Sequence, residues 1–375
     1  MSLPPVIDIE AILAPIAEDR PAGTDPRENA SNVSPYYRLK DARAAARAEE
    51  RAAIDADAPV PEAWSTVIDL AVALLASQAK DLEAATWLTE ALIRVEGFAG
   101  LRDGITVLAR LSQTFWDDLY PQPDEDGLEI RISPVAGLAG SGATGTLDRP
   151  IRNTPLTDGG AGRFSFWHFE QANDLEKIAD PDRREARIAA GTISLETFRK
   201  SVAETPIEIL RDTLLTLGEC ETAVALLSDT LDQAAGLDAP SFTPLQELLA
   251  AVAGCLRYVA ADRLAASAEV EAVAAADAAP AADGSAAPGA VAVGGSAVRR
   301  PGEFENREEA LTVLSQIGAY FRRTEPHSPI SYTIEHAVRR GRMSLPELLK
   351  ELARDPDHVQ HILSVAGIKS SQDDE

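Results

Sequence analysis

The stretch "KDLEAATWLTEALIRVEGFAGLRDGITVLARLSQTFWDDLY", residues 80–120, decides the fold class. Asp81 is a capping residue at the head of an apolar series, Leu82, Ala85, Leu88, Leu92 and Val95, which repeats every three or four residues and stops at Gly97. A second series, Leu101, Ile105, Leu108, Leu111, Phe115 and Leu119, draws the same kind of face beyond it. The spacing predicts two helices whose connection is so short that they pack as antiparallel neighbours. The preceding "PEAWSTVIDLAVALLASQ", residues 61–78, adds a third. Trp64, Trp87 and Trp116 fall at spacings that suit core filling better than an exposed aromatic stripe.

Composition extends this reading to the whole chain. Alanine and leucine dominate, glycine and proline sit mainly between periodic segments, and alternating β-branched runs are nearly absent, so the chain is expected to be all-α. At 375 residues and 45% hydrophobic, its length suits two or three domains. Sixty acidic residues against 35 basic ones give a net charge of −25, a field that repels phosphate backbones and excludes nucleic acid as a partner. The two cysteines, Cys220 and Cys255, are too few for a disulfide framework and suit buried thiols in a reducing compartment. No basic region followed by a long apolar run opens the chain, and no later segment has the apolar length to insert in a bilayer, so a cytoplasmic protein is expected.

Several stretches imitate chemistry. In "FWDDLYPQPDEDGLEIR", residues 115–131, Asp124, Glu125 and Asp126 run into Gly127 as in a calcium loop. With Gly127 at the sixth position the first would be Gln122 and the twelfth Ser133, so the leading aspartate and the closing glutamate are both missing. Pro121 and Pro123 instead stop the helix and impose an extended acidic turn. Gly140, Gly142 and Gly145 form a GxGxxG without a βαβ unit around it, which leaves a flexible loop. His358 and His361 stand three apart beside Asp357, yet no HExxH, cysteine set or second cluster accompanies them. No nucleophile elbow or assignable triad appears, so no catalytic residue, metal site or cofactor is expected. Arg43, Arg47 and Arg51, interleaved with Glu49, Glu50 and Asp55 in a helix opened by Ser34 and Pro35, read as a solvated face. Arg339, Arg340 and Arg342, flanked by Glu335 and Glu347, read as an exposed helix end.

Four regions follow from these shifts: 1–155, 163–267, a linker at 268–302, and 303–375. In the second, Leu210, Leu217, Val224 and Leu231 repeat every seven residues with Ile207 and Leu214 between them, and a further helix carries Leu245, Leu249, Val252, Leu256 and Val259. A helical hairpin results, its seam closing within the chain by default. Residues 268–302, rich in alanine, glycine and proline and without leucine, isoleucine or an aromatic residue, read as a flexible tether. In the last region Leu311, Leu314, Ile317 and Phe321 line one helix that stops at "TEPHSPISY". Ser328 and Pro329 open the next helix, Ser344 and Glu347 cap a third, and "DPDHVQHILSVAGI" makes a fourth. A core of that size gains from association with copies of itself.

The residues also carry a resemblance. Trp64 to Val67, then "KDLEAATWLTEAL", "GFAGLRDGITVLARL" and "FWDDLYPQPDEDG", preceded by "YYRLKDARAAARAEER", resemble the ImpA-type N-terminal domain of the TssA family of bacterial type VI secretion. Residues 307–352, with their "TEPHSPISY" bend, resemble the C-terminal domain of that family's short class. The resemblance implies a non-enzymatic protein that builds ring-like homo-oligomers through its C-terminal domain and meets baseplate, tube or sheath components at the inner face of the cell envelope. Tyr320, Phe321, Glu325, Pro326, His327, Ser328, Pro329, Ile330 and Tyr332 are the candidate residues for self-association or partner binding. The competing expectations are a helical adaptor, monomeric or dimeric through residues 205–260 and unrelated to secretion, and a metal hydrolase using the histidine pair.

Overall fold

A computed structural model of the chain describes residues 3–52, 60–125, 127–140, 144–267, 307–324 and 330–343. The protein is all-α and divides into two compact units, residues 1–282 and 283–375. In the first unit the helices are α1 (Ile9–Leu13), α2 (Pro35–Ala52), α3 (Ala63–Ser77), α4 (Leu82–Phe115), α5 (Glu129–Ala139), α6 (Asp148–Asn153), α7 (Phe166–Glu176), α8 (Pro181–Ala189), α9 (Leu195–Glu204), α10 (Ile207–Ala235) and α11 (Thr243–Val259). In the second they are α12 (Arg307–Thr324) and α13 (Ile330–Arg342). Among the described residues, β structure is confined to isolated bridges such as Gly23 with Ala79.

The axis of the first unit is α4, and it is folded on itself. Gly97, with φ +60° and ψ −141°, breaks the helix where the apolar series stops, a conformation that costs glycine least. Beyond it the chain returns along its own first arm. A Cβ at Gly100 would stand 2.2 Å from the Leu92 carbonyl oxygen, and one at Gly104 would stand 2.8 Å from the Thr89 Cα. The two arms therefore meet backbone to backbone, a separation that no larger residue permits. Leu82, Ala85, Leu88 and Leu92 on one arm and Leu101, Ile105, Leu108 and Leu111 on the other are buried, each large apolar side chain contributing about 1.5–3 kcal/mol on leaving water. Val95 departs from that face and lies exposed at the elbow.

Helix α10 packs along α4, and α11 packs back on α10. Leu210, Leu217, Val224 and Leu231 are buried in the same core as α4, so this seam closes within the chain. That interior runs from Ile12 to Ala260, and the sequence boundary at 155–163 falls inside it, where Leu156 and Phe164 contribute to the same core. Trp64 and Trp87 are buried as their spacing suggests, while Trp116 is half-buried. Cys220 donates its thiol to the Phe98 carbonyl at 3.2 Å, and burial pushes it above the ordinary thiol range. Burial likewise pushes Cys255 up to about 12, so both thiols stay protonated and inert at neutral pH.

Residues 3–33 hold little helix and are strapped onto this bundle by charged side chains. Arg102 donates to the Leu3 and Pro4 carbonyls at 3.0 and 2.9 Å, and the Val6 N–H donates to Asp103 at 2.6 Å. Lys80, wholly buried, donates to the carbonyls of Ile12 and Leu75 at 2.5 and 2.9 Å. At the other end of α4 the buried Arg131 closes the acidic turn, donating to the carbonyls of Trp116, Leu119 and Pro121 at 2.8, 2.6 and 2.8 Å. Asp124 and Gly127 exchange backbone hydrogen bonds at 3.1 and 3.3 Å, a tight turn in place of a calcium loop, with Asp126 outside the described residues.

In the second unit α12 and α13 make a hairpin brought together by two glycines. A Cβ at Gly318 would meet Ile334 Cγ2 at 3.0 Å, and one at Gly341 would meet Leu311 Cδ2 at 2.7 Å. Among its described residues Val338 is the buried large apolar side chain; Leu311, Leu314 and Phe321 are half-covered and Ile317 is exposed. The linker 268–302 and the expected helices beyond residue 343 lie outside the described residues.

Candidate interaction sites

The bend between α12 and α13 carries the residues singled out for association. Tyr320 and Tyr332 are 53% and 56% exposed, and Phe321 is half-covered with its ring edge-on to Tyr320 at 5.6 Å. The Arg322 guanidinium of α12 lies 5.4 Å from the Tyr332 ring of α13 and pairs with Glu335 at 2.5 Å, while Arg323 lies 6.0 Å from Tyr320. The hairpin thus brings Tyr332 to the helix that bears Tyr320. Glu325, Pro326, His327, Ser328 and Pro329 lie outside the described residues, as do Ser344, Glu347, His358 and His361, and Ile330 opens α13.

The first unit gathers its charges around α4. Asp81 caps the helix by accepting from the Ala84 N–H at 2.8 Å, and it also takes Arg27 at 2.6 Å. The same guanidinium reaches Glu83 at 2.8 Å, which accepts the Tyr36 hydroxyl at 2.7 Å. Burial pushes the Asp81 carboxyl up, and Arg27 pulls against that shift. Two turns further on, Glu90 is wholly buried and receives Arg43 at 2.6 Å, with Arg47 at 3.5 Å. The arginine stripe expected to be solvated is thus turned inward at its first two members, because α4 offers a carboxylate beneath it; Arg51 remains exposed. The Ser34 hydroxyl, expected as a cap for α2, makes no hydrogen bond.

Beside the Gly97 elbow opens a cleft of about 910 Å³. Trp64 from α3, Arg94 and Val95 from the elbow, Arg149 from α6, and Ile209 and Asp212 from α10 line it. Arg94 stacks over Trp64 at 4.4 Å and pairs with Glu50 at 2.9 Å. The Trp64 ring is buried, and its indole N–H has no acceptor. Sequence periodicity missed this cleft because it placed Val95 among core residues; the one available signal was that Val95 sits two residues from the breaking glycine.

Among the described residues no group of three histidine, cysteine or carboxylate side chains is placed to hold a metal ion, and no helix is long and apolar enough to cross a membrane. Residues 13–140, which include the later part of the strap, the folded α4 and the acidic turn, match the model of the ImpA N-terminal family of the type VI secretion system. The helical first unit and this match define an ImpA-type secretion component. A solved structure of the N-terminal domain, including the conserved ImpA_N region, of the TssA component from Burkholderia cenocepacia is similar at 30% identity and a TM-score of 0.58, covering 70% of this chain and 98% of that one. The type VI secretion system component TssA1 of Pseudomonas aeruginosa is 27% identical over 97% of this chain and its own full length. The chain belongs to the TssA family of type VI secretion system components.

Proposed function

We propose that the protein is a non-enzymatic assembly component of type VI secretion that forms a ring-like homo-oligomer through residues 303–375 and uses residues 1–267 to recruit baseplate, tube or sheath proteins. The observation that carries this is the α12–α13 hairpin. It leaves Ile317, Tyr320 and Tyr332 exposed with Val338 the buried large apolar side chain among its described residues, and a hairpin of this kind gains stability by covering apolar surface against copies of itself. The first unit has its own continuous core from Ile12 to Ala260, so it stands as an independent recruiting body. Repetition around a ring turns weak contacts by each first unit into strong joint binding, because the tether holds them at high local concentration. The protein works in the cytoplasm, against the inner face of the envelope. Light scattering on the full chain and on a chain ending at residue 267 tests this: the full chain is expected at a multiple of its own mass and the shortened one at a far smaller assembly, and equal subunit numbers reject the reading.

A further inference from the structure

The cleft at the α4 elbow has features that core packing leaves unexplained. Val60, Val95 and Ile209, three of the large apolar side chains exposed on the first unit, all line it. Their convergence in one concavity makes a lining to which an apolar group can bind. Trp64, wholly buried with the Arg94 guanidinium over its ring at 4.4 Å, backs the same wall. Arg149, exposed in α6, has no ion-pair partner among the described residues, whereas Arg94 is held by Glu50 at 2.9 Å and Arg163 by Asp158 at 3.2 Å.

The charges decide the class of ligand. The exposed carboxylates of Glu96 and Asp212 share the lining with Arg149, so a polyanion such as nucleic acid or polyphosphate is repelled, and a polycation meets the arginines. The volume, about 910 Å³, lies near the upper end for compact ligands and accommodates several residues of chain. We propose that this cleft seats an extended, mixed-charge segment of a partner protein, with an apolar side chain against Val95 and Ile209 and a carboxylate on Arg149. The site draws Trp64 and Val95 from the region matching the ImpA family and Arg149 and Ile209 from outside it, so it exists only where the two share an interior. It deepens the recruitment reading and rests on it for the partner's role, while ring formation is irrelevant to the binding step.

The test is a random dodecapeptide phage library selected on the immobilised full-length protein. Enriched peptides should pair a large apolar residue with an aspartate or glutamate, and their synthetic forms, followed by fluorescence anisotropy, should bind about tenfold more weakly to Arg149→Glu and to Ile209→Asp. Both changes lie at exposed positions, and unchanged thermal melts of the variants certify their folds. Arg149→Lys should recover part of the affinity. No enrichment, a purely acidic or purely basic consensus, or equal binding to both variants overturns the proposal. Peptide binding by a protein whose mass shows no ring would preserve this inference while removing the ring, which separates the two failures.

Discussion

Around α4 several charged side chains go inside with partners, whereas on the described residues of α12 and α13 the ion pairs stay outside and Ile317, Tyr320 and Tyr332 stay with them. Lys80, Asp81, Glu90 and Arg131 are buried around α4, each tied to a neighbouring element. Arg322–Glu335 and Arg342–Glu308 are exposed pairs across a hairpin whose described apolar interior is Val338. A body that can enclose paired charges has surplus burial to offset their desolvation; a two-helix hairpin has none. The first region has an interior that specifies its own shape, whereas the described part of the second encloses Val338 as its buried large apolar side chain.

Three experiments break or sharpen that contrast. The greatest effect is expected from crowding the backbone contact: Gly100→Val should destabilise the chain ending at residue 267 by more than about 4 kcal/mol in urea unfolding, because its Cβ would stand 2.2 Å from a carbonyl oxygen that cannot move away. Gly318→Ala, whose Cβ would meet only a side-chain methyl at 3.0 Å, should shift the full chain's helical signal by less than about 1 kcal/mol. Comparable losses at the two sites would erase the distinction.

Next comes charge. Asp81→Ala strips Arg27 of its buried partner and α4 of its cap and should cost about 3 kcal/mol by the same measurement. The exposed equivalent, Glu335→Ala, should cost about 0.5 kcal/mol or less.

The smallest of the three effects within the first unit is a pH dependence. Burial pulls the Lys80 amine down to about 8 from an ordinary 10.5, and its two hydrogen bonds match the two N–H groups of a neutral amine. Between those values the unfolded chain holds more protons than the folded one, so raising pH through that window adds stability, and the gain is lost as pH falls through about 8. Urea midpoints from pH 7.5 to 10.5 should show the wild type gaining on Lys80→Met, on the order of 1–3 kcal/mol, and parallel profiles would place Lys80 charged throughout.

Helices α2, α3, α4, α10, α11, α12 and α13, the elbow at Gly97 and the Asp81 cap were legible because each is a local pattern of period, breaker or capping side chain, whereas α5 to α9 are short and carry no such repeat. The inward turn of Arg43 and Arg47 was not, since their partner Glu90 lies on another helix, and interleaved Glu49 and Glu50 gave the local pattern of a solvated face. Arg131 was equally silent: its acceptors are backbone carbonyls, which leave no trace in residue type. The cleft needed α6 and α10 beside α3, a juxtaposition that periodicity alone does not encode.

The strap of residues 3–33 behaves as a ligand that happens to be covalently attached. Its seats on Arg102, Asp103, Lys80, Asp81 and Glu83 all belong to one short span of the chain, the foot and the return arm of α4. Nicked near residue 33, the freed piece would lose the local concentration its covalent link supplies, so its retention in a native gel on dilution would measure what those seats hold by themselves.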